Sequence, residues 1–337
     1  SGGDSKGERR IMDLETGKKA LDFLVANSGN RRNLEVDFFG GEPLLNFDVV
    51  KDLTFYGMEL NDKYDKNIRF TLTTNGTHLD DEKIDFINKY MSNVVLSIDG
   101  RKEVNDYMRP NRGGKGTYDT IVPKFQKLIK ERGDKEYYIR GTFTSNNLDF
   151  SEDALKFHEL GFDKISLEPV VTDEKEPYAI REEDLDKVLK EYEKFSKDYM
   201  DINKDEDFLF YHYMVDLDDG PCMAKRSVGC GAGSEYVAIT PEGDIYPCHQ
   251  FVGEEEFRIG SLDEGIFKDE LREEFREANV FNKDDCRSCW ARFYCSGGCH
   301  ANAYYNNGNI KEPYKMACEM EKKRIECSIS ILANQEE

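Results

Sequence analysis

Nine cysteines offer the most evident chemistry in this chain of 337 residues, and all of them lie between residues 222 and 327. Two cysteines in a C-x2-C pair can reach one metal centre. The glycine pair at 297–298 allows the backbone to turn tightly around a bulky inorganic core. Seven of the nine form one spaced array: Cys230, Cys248, Cys286, Cys289, Cys295, Cys299 and Cys318. The array therefore predicts a site for metal ions or clusters.

The ligand types favour iron–sulfur clusters. Such clusters are held mostly by cysteine alone, and only His249 and His300 directly follow a cysteine of the array. Two zinc sites remain an alternative on ligand count. Disulfides are less expected, because the polar first residues lack the apolar core of a secretory signal and we expect a cytoplasmic chain. Cys222 is either an eighth ligand or a free thiol, and Cys327 is expected to be a small buried side chain in a helix.

The charge balance disfavours some classes of partner. The chain has 47 basic and 68 acidic side chains and a formal net charge of -21, which repels the phosphate backbone of nucleic acids. No apolar run approaches the roughly 20 residues that cross a bilayer. We therefore expect no nucleic-acid partner and no membrane partner, in a chain long enough to bury a core without disulfides.

The elements that must position a site come mostly before the cysteines. Five β-branched and aromatic runs begin at residues 34, 69, 94, 137 and 164, and helices are predicted at 17–27, 48–64, 81–91, 118–132, 149–160 and 182–199. This alternation predicts right-handed βαβ units and a mainly parallel α/β sheet. Polar residues follow each run at its C-terminal end, where such sheets bind ligands. They are Glu42, Asn75, Asp99, residues 144–146 and Glu168.

A known family shares these patterns. The array, written as C-x12-G-x4-C, C-x2-C-x5-C-x3-C and a final cysteine, resembles the SPASM domain of radical S-adenosylmethionine (SAM) enzymes that modify peptides and proteins. FFGGEPLL at 38–45, TTNG at 73–76 and SIDG at 97–100 resemble motifs of the same family, so the resemblance covers essentially the whole chain. VVLSIDGRKEV, YPCHQFVGEE and FYCSGGC are most similar to maturases of six-cysteine (SCIFF) peptides, which form thioether cross-links in a ribosomal precursor.

The resemblance implies a partial (β/α)6 barrel lacking its first strand at 1–200, a linker at 201–220 and a SPASM domain with two auxiliary [4Fe-4S] clusters at 221–337. It assigns the first cluster to Cys230, Cys248 and Cys299, which leaves one iron open for a substrate thiolate unless Cys222 closes it. It assigns the second cluster to Cys286, Cys289, Cys295 and Cys318.

The same resemblance implies a SAM site at the C-terminal edge of the sheet. Gly40 and Gly41 would allow close backbone approach, Glu42 would accept from the ligand ammonium, and Pro43 would fix the loop; a plain strand-to-helix turn is the alternative. Ribose or methionine contacts are expected from three further residues, Asn75, Ser97 and Asp99. Arg140 is expected either to meet the SAM carboxylate or to form an internal salt bridge.

One motif of the family is missing. The family requires C-x3-C-x2-C after its first strand, where three thiolates hold the cluster that binds SAM, but no cysteine precedes Cys222. We therefore expect an N-terminally truncated chain that is inactive as given. A third [4Fe-4S] cluster is expected only if the missing loop is present.

For the intact protein, the resemblance predicts a radical SAM maturase that forms thioethers in a cysteine-rich precursor peptide and receives electrons from a donor such as flavodoxin or ferredoxin. No catalytic residue is assigned. One alternative is sulfatase maturation, although His249 stands where those enzymes place an acidic base after the second SPASM cysteine. The other alternative is a non-catalytic, metal-bound scaffold that binds peptides.

Overall fold

Six parallel strands form the main sheet in the computed structural model, which describes residues 10–203, 207–216, 220 and 227–335. The strands pair in sequential order, and they are β1 (Asn33–Phe38), β2 (Asn67–Thr74), β3 (Asn93–Ser97), β4 (Glu136–Phe143), β5 (Lys164–Pro169) and β6 (Leu209–Phe210). The predicted parallel α/β sheet is confirmed. β6 was not predicted, because two residues are too few to show a period of two.

Seven helices alternate with these strands: α1 (Leu14–Asn27), α2 (Phe47–Tyr64), α3 (Asp81–Tyr90), α4 (Lys102–Met108), α5 (Tyr118–Arg132), α6 (Phe150–Glu159) and α7 (Leu185–Ile202). Aspartate side chains cap the N-termini of α1 and α3. Asp13 accepts a hydrogen bond from the Thr16 backbone N–H, and Asp80 accepts one from the Lys83 backbone N–H. Six helices lie where the sequence predicts them, the last one after a 3-10 turn at Glu182–Asp184. The sequence analysis missed α4, whose seven residues span too little of a helical period.

The two faces of the sheet differ in burial. On β2, Ile68, Phe70 and Leu72 are buried against the helices, whereas Arg69, Thr71 and Thr73, which alternate with them, remain accessible. Parallel sheets normally bury both faces and show continuous apolar runs. The alternation here indicates that the face opposite the helices is open and polar, which leaves room for a ligand.

A smaller cysteine-bearing unit follows the sheet. Its four short antiparallel strands are β7 (Ala238–Ile239), β8 (Asp244–Tyr246), β9 (Gly260–Ser261) and β10 (Gly265–Ile266). Its helices are α8 (Asp269–Glu277), α9 (Asp284–Arg287), α10 (Arg292–Cys295) and α11 (His300–Asn307). An aromatic cluster that includes Phe251, Phe257 and Phe275 forms its core.

The last helix, α12 (Lys315–Gln335), returns to the main sheet unit and packs against α7. Met316, Met320 and Ile331 join the core of that unit, and Cys327 is buried there as predicted. The domain limits at 200 and 220, like the missing first strand, stay predictions. Within the described residues, no helix is both long and apolar enough to cross a membrane.

Candidate cluster and cofactor site

Asp37 lies on the open, polar face of the sheet. Its carboxylate accepts from the Thr73 hydroxyl at 3.2 Å and 3.3 Å. Burial raises the pKa of Asp37 to about 6, although Thr73 and Arg140 oppose the shift, yet the side chain remains exposed to solvent. Both observations fit a group that has protein on several sides but that water can still reach. Sequence reasoning missed Asp37, although a charged residue within the apolar run LEVDFF was a usable signal.

Arg140 lies on the same face, in register with Ser97 on β3 and Ser166 on β5. Its positive charge acts on Asp37 and Glu168. Among the described residues its guanidinium has no hydrogen bond and no ion pair, and the internal salt bridge considered from the sequence is therefore not found there. A half-buried cation without a partner is suited to bind an anionic ligand group.

Glu42 holds the loop after β1 at this edge. Oε1 accepts from the Leu44 N–H at 3.1 Å and the Thr74 hydroxyl at 2.8 Å, and Oε2 accepts from the Asn75 N–H at 2.8 Å. A carboxylate has about four acceptor positions, so one remains on Oε2. Burial raises the pKa of Glu42, and these hydrogen bonds oppose the shift.

The glycines before Glu42 leave open space. Gly40 has a φ of +112°, which favours glycine, and a Cβ added at Gly40 or Gly41 would meet no atom within 4 Å. Pro43 begins a 3-10 turn, Pro43–Asn46, as its fixed φ allows. The loop therefore offers its backbone to a ligand.

The three other residues that were predicted to contact SAM differ in the hydrogen bonds that they make within the fold. Asn75 uses its side-chain oxygen to accept from the N–H and hydroxyl of Thr77. The Ser97 hydroxyl is half-buried and makes no hydrogen bond within the described part of the chain. Asp99 is 3% exposed and forms a two-pronged ion pair with Arg109, at 2.7 Å and 2.8 Å, while it accepts from the Thr142 N–H at 3.0 Å. Both carboxylate oxygens of Asp99 are therefore engaged within the fold.

The thiols assigned to the first cluster are neighbours in the structure. Burial raises the pKa of Cys248 to about 12, and the nearby Cys299 and Cys230 thiols reinforce the shift. Burial also raises the pKa of Cys299, with added contributions from Cys230 and from Glu168 on β5. This set thus adjoins the C-terminal edge of the main sheet. Cys222 lies outside the described residues.

The four thiols assigned to the second cluster also adjoin one another. Burial raises the pKa of Cys318 to about 11, reinforced by Cys286 and Cys289. Burial raises the pKa of Cys295 to about 12, with contributions from Glu321 and Cys318. All eight described cysteines are free thiols. High thiol pKa values mean that metal loading must displace protons.

The surroundings of these thiols fit a polynuclear cluster. Among the described residues, no three His, Cys, Asp or Glu side chains converge on one metal ion; a cluster does not require this, because each cysteine binds a different iron. Buried side-chain atoms without a hydrogen-bond partner are rare and call for an explanation. Three of the six such atoms lie in the segment that carries Cys295 and Cys299, and they are Arg292 Nε, Ser296 Oγ and His300 Nδ1.

His249 connects the two units of the chain. Its Nδ1 lies 2.9 Å from the Tyr236 hydroxyl, and its ring packs against Phe39 at a centroid distance of 4.9 Å. Burial lowers the pKa of His249 to about 4, as does the charge of Arg140. The residue after Cys248 is therefore a neutral imidazole beside the loop that follows β1. Nothing in the sequence indicated the Tyr236 partner.

Glu168, whose side chain is partly exposed, joins a network of more deeply buried side chains at the C-terminal edge of the sheet. Its Oε1 lies 3.5 Å from His212 Nε2, and Arg324 on α12 lies 3.1 Å from His212 Nδ1 and 3.0 Å from the Tyr192 hydroxyl. Burial alone would raise the pKa of Glu168, but His212, Arg324 and Arg140 hold it below its ordinary value. Helix α12 thus fixes a carboxylate at the sheet edge.

Comparison with known proteins agrees with this architecture. Residues 3–143 match the Radical SAM superfamily, and residues 230–290 match the SPASM iron-sulfur cluster-binding domain. A cysteine-type anaerobic sulfatase-maturating enzyme of Clostridium novyi is 26% identical over 93% of this chain and 85% of that protein. The radical SAM cyclopropyl synthase TigE of Paramaledivibacter caminithermalis is 24% identical over 94% of this chain and 65% of that protein.

A solved structure shares the fold. Native anSMEcpe with bound AdoMet and Kp18Cys peptide superposes with a TM-score of 0.78 at 22% identity, over 98% of this chain and 92% of that chain. At this identity the likeness establishes the arrangement of helices and strands alone.

Proposed function

We propose that this chain, which combines a radical SAM domain with a SPASM domain, belongs to a maturase that modifies a peptide or protein. The observation that carries the proposal is the place of the first thiol set. Glu168 acts electrostatically on Cys299, and the His249 ring packs against Phe39, so a cluster on the first thiol set would lie near the polar edge of the sheet. A substrate bound at that edge would be within reach of both.

The proposed contacts of SAM are the free acceptor position of Glu42 and the guanidinium of Arg140, which has no ion pair among the described residues. Glu42 would accept from the ammonium, and Arg140, in register with Ser97, would bind the carboxylate. Gly40, Gly41 and Pro43 would present the backbone, and Asn75 would contact the ribose. We leave Asp99 out, because Arg109 already occupies its carboxylate.

We propose that the cofactors are held by the two sets of cysteines that the family resemblance assigns. Cys230, Cys248 and Cys299 would hold the first auxiliary cluster, and Cys286, Cys289, Cys295 and Cys318 the second. When bound, SAM and the clusters supply radical and one-electron chemistry that side chains lack. The SAM-binding cluster requires the three-cysteine loop, which residues 1–221 do not contain.

The reaction that we propose is thioether formation in a cysteine-rich precursor peptide, with a flavodoxin or ferredoxin as electron donor. Three protein thiols at the first site would leave a ligand position for a peptide cysteine, unless Cys222 takes that position. The neutral His249, hydrogen-bonded to Tyr236, supports this reaction over sulfatase maturation. Sulfatase maturation is the second candidate function, because one relative named above is a sulfatase-maturating enzyme.

Cofactor analysis tests the two-cluster assignment. Anaerobic reconstitution should load about eight irons per chain, with matching sulfide, if two four-iron clusters form. Serine substitutions at Cys286 and Cys289 should remove about half of the iron, whereas Cys327→Ser should remove none. Two zinc ions without sulfide would contradict the assignment.

A product assay tests the reaction. The protein would be expressed with an in-frame upstream segment that carries C-x3-C-x2-C, reconstituted, and incubated with SAM, a reductant and a cysteine-rich peptide. Each thioether removes two hydrogen atoms from the peptide, so mass spectrometry should show that loss together with 5′-deoxyadenosine. SAM cleavage with modification of a sulfatase peptide alone would favour the second candidate, and no cleavage by the fully loaded protein would contradict both.

A further inference from the structure

Lys283 is the one lysine among the largest fully buried side chains of the described residues. It is 1% exposed, and it precedes α9, where its carbonyl accepts from the Cys286 N–H at 3.0 Å. Its ammonium donates to the Gly297 carbonyl at 2.8 Å, between Cys295 and Cys299 in the sequence. One side chain thus ties the helix that carries Cys286 to the turn that carries two other cysteines of the array.

The surroundings of this ammonium lack an ordinary counterion. Within the described part of the chain, no carboxylate lies within 4.0 Å of it, and the contact with Gly297 is its one hydrogen bond. Burial lowers the pKa of Lys283, and the nearby thiols of Cys286, Cys295, Cys299 and Cys318 oppose that shift and favour the charged form. A buried charge without compensation is costly. The four thiols become anionic when they bind metal, and they would then supply the missing negative charge.

The position of Lys283 relates it to both cluster sites. Cys299 belongs to the first proposed ligand set, and Cys286, Cys295 and Cys318 belong to the second. Net charge and hydrogen bonding around a cluster set its reduction potential. A nearby cation stabilises the more negative, reduced form, and burial limits screening by solvent and salt.

We propose that Lys283 is a positioning residue that holds a fixed positive charge between the two auxiliary clusters and raises their reduction potentials. The proposal rests on the two-cluster assignment of the proposed function. It does not depend on SAM cleavage or on the identity of the peptide, because the charge acts on the clusters themselves.

Three substitutions separate charge from packing and hydrogen bonding. Lys283→Met keeps the length and removes both charge and donor, Lys283→Gln keeps a donor without charge, and Lys283→Arg keeps the charge. Lys322→Met is the matched control: Lys322 also lies near Cys289 and Cys318, but its ammonium is partly exposed and pairs with Glu319 at 2.7 Å.

The experiment is a redox titration of the anaerobically reconstituted full chain, followed by electron paramagnetic resonance, with iron and sulfide content measured on each sample. We expect the neutral variants to lower the equilibrium constant for cluster reduction at least tenfold, which is 59 mV for a one-electron couple. Lys283→Arg and Lys322→Met should remain near the wild-type potentials.

Each possible result of the titration either supports or overturns the proposed role of Lys283. Unchanged potentials in neutral variants that load iron fully would overturn it, as would a loss of loading shared by Lys283→Arg. Loading by Lys283→Arg but by neither neutral variant would support it, because the charge would then be needed to assemble anionic clusters. A wild-type chain that assembles no iron–sulfur cluster would overturn the premise of the proposed function itself, and potentials that respond to Lys283 without any SAM cleavage would leave this inference standing.

Discussion

At the scale of single residues, two arginines near the C-terminal edge of the sheet show how a binding group differs from a structural one. The guanidinium of Arg109 forms an ion pair with Asp99, a buried carboxylate at the end of β3. Arg140 lies on the open face and has no such partner among the described residues. The sequence presents both simply as arginines, and only the contacts distinguish their roles.

Arg140→Met should therefore weaken SAM binding without weakening the fold. A hydrogen bond to a charged group is worth about 1.5 to 3 kcal/mol, so we expect SAM affinity to fall roughly tenfold to a hundredfold, measured by equilibrium dialysis. Arg109→Met is the contrast: it leaves Asp99 buried without a cation, which should cost about 3 to 5 kcal/mol in urea unfolding. Equal losses of stability in the two variants would contradict this division of roles.

Asp37 gives a pH dependence whose sign follows from its burial. Its pKa is about 6 in the folded chain against an ordinary value of 3.8, so between these pH values the folded state keeps a proton that the unfolded state has released. Stability therefore falls as pH rises through this window, and the loss is complete above it. Asp37→Asn should stabilise the protein at pH 7, by about 1 kcal/mol after allowance for solvent access.

The comparison of urea unfolding at two pH values tests this expectation. The gain from Asp37→Asn should vanish near pH 3, below the ordinary pKa of 3.8, where the carboxyl is largely protonated in both the folded and the unfolded state. Glu35→Gln, on the same face and paired with Arg69, should show no such gain at pH 7. A gain from Asp37→Asn that is equal at both pH values would show that burial of the charge is not its cause.

At the scale of elements, α12 links residues that the sequence analysis assigned to different domains. The cysteine array placed the whole of 221–337 in one cysteine-rich domain, yet this helix buries Met316, Met320 and Ile331 in the core of the main sheet unit. Its Arg324 reaches His212 and Tyr192, more than a hundred residues away in the chain. No local pattern encodes such a partner.

Arg324→Met should unfold more easily than its neighbour Lys323→Met. Arg324 is 7% exposed, and its removal leaves the His212 ring and the Tyr192 hydroxyl without their hydrogen-bond partner, which should cost about 1 to 3 kcal/mol. Lys323 pairs with Glu193 and Glu326 on the surface, where an ion pair contributes about 1 kcal/mol or less. Urea unfolding followed by far-ultraviolet circular dichroism measures both. Similar losses in the two variants would show that the buried network adds nothing.

The predictable elements were those with a long local period. The helix at Tyr118–Arg132 and the strand at Glu136–Phe143 show their burial pattern directly in the sequence, and the GGEP turn was visible from its glycines. The contacts of Lys283 and Tyr236 were not predictable, because each depends on how two distant segments meet. The spacing of the cysteines indicated the two thiol sets only through a family resemblance, since spacing alone does not say which thiols are neighbours.

At the scale of the whole molecule, the path of α12 couples the cluster sites to the main sheet unit. Cys318 lies near the beginning of this helix, and the later turns of the same helix pack against α7. A metal bound at Cys318 would therefore stabilise both units, because binding to the folded state alone adds to the free energy of unfolding.

The single tryptophan of the chain, Trp290, makes this coupling measurable, since it lies in the cysteine-bearing unit while most helical circular dichroism comes from the main sheet unit. We expect urea unfolding followed by Trp290 fluorescence and by circular dichroism at 222 nm to show coincident midpoints, as one cooperative unit requires. Cluster loading should move both midpoints upward together.

Cys318→Ser should weaken the shift in both signals, whereas Glu319→Gln, on the next residue of the helix, should preserve it. A fluorescence transition that rises with iron while the dichroism transition stays fixed would mean that α12 does not transmit the binding energy, and that the two units unfold independently.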